Sequence, residues 1–205
     1  MTESEKLTRV QRRQRETREQ IFRVAMKLFD EQGFNATTVA QITEAADIGK
    51  GTFFSYFPTK EAVLGYLGER LTEAMTEVVE AALGAGVPVA DIVERLFDVS
   101  ASWHESNRSL SELIVKVGLG AGLMEADAPN QQKLVALLAR IVETGQSRGE
   151  LRTSVRSPDG ATVLSGVYFA TIIAWHSDGD VRSLGERLRA SLRIVLEGMH
   201  AKEKS

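Results

Sequence analysis

The chain has 205 residues, 43% hydrophobic and 26% charged, which suits a globular protein able to bury a core in one large or two small domains. It contains no cysteine, which excludes a disulfide framework, thiolate metal sites and a catalytic thiol, and fits a reducing cytoplasm. Its net charge of −3 is unevenly spread: residues 1–60 carry 10 basic and 8 acidic side chains, the remainder 15 and 20. Between Lys6 and Lys27 only Glu16 and Glu19 oppose eight basic residues. A basic front on an acidic body fits a polyanion at the front alone, although a solvated tail over Met1 to about Arg15 has the same composition. The first twenty residues lack the apolar core of a signal peptide, and no apolar run reaches the ~18 residues of a membrane span.

Taken in order, the periodic segments have the helical period. Ile21, Ala25, Leu28 and Phe29 share one face of a helix expected over about Thr17 to Gln32, stopped by Gly33. Thr38 and Gln41 have capping-box spacing, so a short helix should run to about Ala46. Asp47, Ile48 and Gly49 form a tight turn, and a second short helix runs from Lys50 to Phe57, where Pro58 ends it. Thr59 caps a long helix to about Leu83, broken by Gly84 to Pro88. Further helices are expected at 89–105, 110–117, 131–148, 159–176 and 184–200, with Gly118 to Gly122 as a flexible loop closing a sensor pocket. The fold class is therefore all-α, with a head over 1–59 and a helical bundle over 60–205.

Two short helices joined by a three-residue turn behind a supporting helix make a helix-turn-helix, whose second short helix would enter the major groove. A hairpin buried in a larger bundle would have the same spacing. On the DNA reading, Gly49 and Gly51 allow close approach, while Lys50, Thr52 and Ser55 offer groups to bases or phosphates. Thr37, Thr38, Tyr56 and Lys60 flank them and suit phosphates.

The stretch Phe34-Asn-Ala-Thr-Thr-Val-Ala-Gln-Ile-Thr-Glu-Ala-Ala-Asp-Ile-Gly-Lys-Gly-Thr-Phe-Phe-Ser-Tyr-Phe-Pro-Thr-Lys-Glu-Ala-Val63 resembles the signature of the tetracycline-repressor-like (TetR) family. The resemblance is close from about Thr17 to Leu67 and beyond Gly84 extends only to layout and the turn from Gln146 to Leu151. It implies a homodimer that binds a palindromic double-stranded DNA operator and releases it when a small-molecule effector enters the C-terminal domain; most such proteins are repressors. Gly49 stands where the family often has Ser, and Phe54 where it often has Tyr, so a helix cap and a phosphate-contacting hydroxyl are missing.

Behind the head, Met75, Leu96, Phe97, Trp103, Met124, Tyr168, Ile172 and Trp175 offer a broad apolar and aromatic surface suited to an apolar or aromatic effector, or simply to a core. Gly166, Ala170 and Ala174 form a small-residue stripe, and Leu188, Leu192 and Val195 lie along one face of the last helix; both stripes suit a dimer interface or packing within one chain. The Gly-x-Ser-x-Gly pattern at Gly145 to Gly149 lacks the preceding strand of a hydrolase nucleophile. His104 and His176, each following a Trp, would need Glu105 and Asp178 to make a metal site, and sequence proximity supplies no ligand geometry. No cofactor, metal or catalytic set is expected. The expected function is a cytoplasmic, ligand-responsive transcriptional regulator, not an enzyme and without a membrane partner. An activator or co-repressor-dependent regulator would use the same parts, and a helical enzyme or carrier would need an acid–base pair with shifted pKa values in the pocket.

Overall fold

The computed structural model describes residues 8–118, 121–177 and 181–199, the side chains of 117–118, 121–129 and 199 excepted. Among these residues lie nine helices: α1 Arg9–Gln32, α2 Val39–Ala45, α3 Lys50–Tyr56, α4 Glu61–Gly84, α5 Val89–Ser106, α6 Arg108–Gly118, α7 Ala121–Ser147, α8 Ser157–Ser177 and α9 Leu184–Met199. The chain separates into two compact units, Met1–Leu67 and Gly68–Ser205. No helix among the described residues is long and apolar enough to cross a membrane.

In the first unit, α1 starts well before Thr17. The Thr8 hydroxyl accepts from Gln11 N–H while the Gln11 side chain accepts from Thr8 N–H, a complete capping box. The expected tail is therefore helical from Arg9. The apolar period begins only at Ile21, so periodicity misses a start set by a cap and by arginine and glutamine, both good helix formers. The α2 cap matches the sequence: Thr38 and Gln41 exchange backbone and side-chain hydrogen bonds of 2.8 and 3.2 Å. In the turn the left-handed residue is Asp47, at φ +52°, a residue type that tolerates this conformation. Gly49 caps α3 at φ −75° with no side-chain hydrogen bond. Phe57 is extended, as a residue before proline should be.

The core of this unit is aromatic. Phe29 meets Phe34, and Tyr66 meets both Phe22 and Phe57, edge to face at centroid distances of 4.9–5.8 Å. Phe53 and Phe57 are 0% and 1% exposed and fasten α3 to this cluster.

In the second unit α8 packs against α7 and α9, and α5 against α9 and α7. Val79, Ile92, Leu96, Phe97, Leu138, Ile141, Leu164, Leu184 and Leu188 are fully or almost fully buried in one core. Helix α7 begins at Ala121 rather than at Gln131, so the expected loop is helical from Ala121; residues 119 and 120 lie outside the described part. The run Ala121 to Ala128 is rich in alanine with Leu123, Met124 and Glu125, all strong helix formers.

The Gly-x-Ser-x-Gly pattern has a structural cause. Gly149 sits at φ +76°, and a Cβ on Gly145 would lie 2.6 Å from Val89 Cγ2 and 2.9 Å from the Leu151 side chain. The first glycine permits close packing and the second a turn. That turn binds the α4–α5 junction: Arg148 donates to the carbonyls of Leu83 and Val87, both at 2.8 Å, and Glu150 accepts from Val89 N–H at 2.7 Å. Ser147 donates to the Thr144 carbonyl as part of the helix end. Gly145→Ala should destabilise the protein by about 1–3 kcal/mol through overpacking, measured by urea unfolding. Unchanged stability would mean that Val89 and Leu151 yield freely.

Candidate nucleic-acid interface and effector core

Helix α3 spends one side on the core and shows the other to solvent. Phe53 is buried, whereas Lys50, Gly51, Thr52, Phe54 and Ser55 are exposed and Tyr56 is half-buried. The Lys50 ammonium and the Tyr56 hydroxyl have no partner among the described residues, and Ser55 donates its proton to the Thr52 carbonyl, leaving its lone pairs free. A Cβ at Gly49 or Gly51 would meet nothing within 4 Å, and neither glycine has a positive φ. Nothing among the described residues requires these glycines. The exposed Thr38 hydroxyl at the start of α2 lies at the edge of the same unit.

Two expected contacts change role. Thr37 is 1% exposed and its hydroxyl donates to the Gly33 carbonyl at 2.8 Å, so it is not at the surface for a phosphate. The Lys60 ammonium donates to the carbonyls of Phe34 and Thr37 at 2.6 and 2.9 Å, and lies 4.1 Å from the Phe34 ring centroid. Its first task is to hold the α1–α2 connection against the start of α4.

In the second unit, Met75, Leu96, Phe97, Tyr168, Ile172 and Trp175 belong to one buried core. Trp103 is half-buried outside it, and the Met124 side chain lies outside the described residues. Two polar groupings cross this region. Ser100 and Tyr168 hydroxyls lie 2.5 Å apart. The fully buried Ser111 Oγ lies 2.7 Å from both His104 Nδ1 and His176 Nε2, joining α5, α6 and α8. One hydroxyl proton cannot serve two acceptors, so at least one imidazole donates its N–H. Burial, aided by the neighbouring His176, lowers the His104 pKa to about 4, so this ring is neutral at neutral pH. Burial and the Arg108 guanidinium lower that of His176.

These shifted imidazoles are what a helical enzyme would need, but Ser111 has no exposure through which a substrate could reach its hydroxyl. For a metal, the two histidines do converge, yet Glu105 accepts from Gly185 N–H and Asp178 lies outside the described residues. Among the described residues no three His, Cys, Asp or Glu side chains are grouped to hold an ion.

On the outer side of α8 and α9 lies an open groove of about 560 Å³, lined by Val167, Ala170, Thr171, Ala174, Ile194 and Val195. Gly166 is exposed beside it. Leu188 and Leu192 are not on this side. They are 0% and 2% exposed within the chain's own core, so of the residues of α9 expected at an interface these two are internal packing residues instead. Ile194, 73% exposed, was not singled out by the sequence because it interrupts the leucine period.

Residues 21–67 match the model of bacterial regulatory proteins of the tetR family, and residues 69–198 match that of the C-terminal domain of TetR/AcrR family transcriptional repressors. The chain belongs to the TetR family. Among solved structures it resembles FadR of Thermus thermophilus, a TetR-family transcriptional repressor in complex with lauroyl-CoA, at 32% identity and a TM-score of 0.77, over 91% of this chain and 97% of that one. It is 23% identical to the transcriptional repressor KstR of Mycolicibacterium smegmatis over 89% of this chain and 88% of that protein. It is 49% identical to the transcriptional regulator TcmR of Streptomyces glaucescens over 53 residues, which span 26% of this chain and 24% of TcmR. The chain is thus an all-α, DNA-binding transcriptional regulator of the TetR repressor type.

Within this TetR head, Lys60→Ala should cost about 1–2 kcal/mol, a partly exposed share of what hydrogen bonds to a charged group contribute. Thermal unfolding without DNA measures it. An unchanged melting temperature with a weakened DNA complex would return Lys60 to a phosphate contact.

Proposed function

We propose that the protein is a homodimeric repressor that acts in the cytoplasm, holds a palindromic operator through α2 and α3, and lets go when a largely apolar molecule enters the second unit. Residues 1–59 read DNA and residues 60–205 sense and dimerise. The observation that carries this reading is the presentation of α3: one aromatic side buried, the other side exposed, with two glycines that no described residue requires. Thr38, Gly49, Lys50, Gly51, Thr52, Ser55 and Tyr56 then face the duplex, with Thr37 and Lys60 supporting them from behind. Two such heads call for a two-fold protein. The apolar groove of α8 and α9, with Gly166, Ala170, Ala174, Val195 and the exposed Ile194, is the surface that a second copy would cover.

For the effector, the buried set of Met75, Leu96, Phe97, Tyr168, Ile172 and Trp175 favours apolar or aromatic matter. Trp103 and Met124 stand as further candidates for the lining. The lauroyl-CoA complex of the Thermus relative supports an acyl thioester, whose chain would lie among these residues and whose polar head would need the surface. Release follows if the ligand binds the DNA-incompetent arrangement more tightly than the competent one.

Lauroyl-CoA should raise the melting temperature and weaken binding to a duplex selected from a randomised pool, by about 5–150-fold, the usual range of allosteric coupling. Free coenzyme A should do neither. If free coenzyme A, inorganic phosphate or divalent metals release the DNA and no apolar compound does, the apolar-effector reading is wrong.

A further inference from the structure

Helix α1 is longer than the first unit's core requires. Its buried residues are Ile21, Phe22, Ala25 and Phe29. From Arg9 to Glu16 every residue is exposed, and from Thr17 to Gln20 none is fully buried. The stretch is nevertheless a helix from its first residue, closed by the Thr8–Gln11 capping box. It also lies outside residues 21–67, the part matched by the family's head.

Its chemistry is one-sided. Arg9, Arg12, Arg13 and Arg15 are exposed, and none is in an ion pair with a described residue. Val10 is the one apolar residue between Arg9 and Gln20. A membrane-surface helix or one seated in a protein groove needs an apolar face, which this segment lacks. A polyanion needs only the guanidinium groups.

The position of the segment selects the polyanion. The Gln20 side chain donates to the Ala46 carbonyl at 2.9 Å, at the entrance to the turn that leads into α3. Arg18 stacks 4.0 Å from the Tyr66 ring centroid and 5.6 Å from that of Phe57, beside the end of α3. These two contacts fix α1 where it leaves the head. From Arg18 back to Arg9 the helix overhangs by about 14 Å at ~1.5 Å per residue. That is roughly two fifths of a ~34 Å turn of duplex.

We propose that the overhanging first turns of α1 are a second DNA-contacting element, in which Arg9, Arg12, Arg13 and Arg15 bind backbone phosphates flanking the site read by α3. The inference rests on the DNA-reading function proposed above and deepens it. Guanidinium–phosphate contacts position without reading sequence. The element therefore adds affinity and salt dependence and leaves base preference to α3.

The test replaces all four arginines by glutamine in the full-length protein, which removes charge and keeps helix formers. Binding is measured against salt on the selected duplex and on a scrambled duplex of equal length. Each phosphate contact contributes about 0.9 to the slope of log affinity against log salt, so the slope should fall by roughly 2–3.5. Affinity for both duplexes should fall together, with their ratio and the melting temperature unchanged. A slope within about 0.5 of the wild type overturns the proposal. So does a loss confined to the selected duplex, which would make these arginines readers of bases. A wild-type protein that binds neither duplex would instead overturn the DNA-reading function itself.

Discussion

The molecule depends on a seven-residue helix held from one side. Isolated helices shorter than about 12–15 residues are marginal in water, so α3 cannot persist on its own hydrogen bonds. Phe53 and Phe57 supply what it lacks, through a run of ring contacts from Phe53 to Phe57, Tyr66 and Phe22. Because the aromatic anchors lie on one side, the other is left for polar groups and for two glycines. The exposed Phe54 is the exception, stacked edge to face on Phe53. The same economy governs Lys60, whose ammonium satisfies two carbonyls of the α1–α2 connection and so fixes where α2 begins. On the proposed function, DNA meets what the head does not bury.

The second unit works by a different logic. Its core is apolar, and its buried polar groups are paired: Ser100 with Tyr168, Ser111 with His104 and His176. An unpaired polar atom in such a place would cost about 1–3 kcal/mol, and among the described residues no buried side-chain nitrogen or oxygen lacks a partner. The turn from Gly145 to Leu151 adds a tie between α7 and the junction of α4 with α5, using a guanidinium on carbonyls at one helix end and a carboxylate on an N–H at the next helix start. Charges at these ends complement the helix dipoles.

Features that are local in sequence were legible before the structure. The Thr38–Gln41 box, the stop at Pro58 and the turn at Asp47 to Gly49 each depend on neighbours a few residues away. The start of α1 was not legible from periodicity, because nothing between Arg9 and Gln20 is fully buried. Helix α9 carries apolar residues on two sides, and pattern alone could not say which side meets its own chain; Leu188 and Leu192 do, while Ile194 does not. Long-range polar partners were also beyond reach. Lys60 finds carbonyls 23 and 26 residues away, and Ser111 finds an imidazole 65 residues away. The paired Trp-His motifs at 103–104 and 175–176 pointed to two histidines that do meet, but the serine between them carried no signal of its own.

On the proposed function, the exposed side of α3 reads DNA and contributes nothing to folding. The direct measurement is the preference of a Lys50→Ala, Thr52→Ala double variant for the selected duplex over a scrambled one, together with its thermal unfolding. With each base contact contributing about 1–3 kcal/mol of discrimination, the preference should fall by roughly 30-fold or more at an unchanged melting temperature. A variant that keeps the wild-type preference, or that loses it only because the head unfolds, would overturn that role for α3.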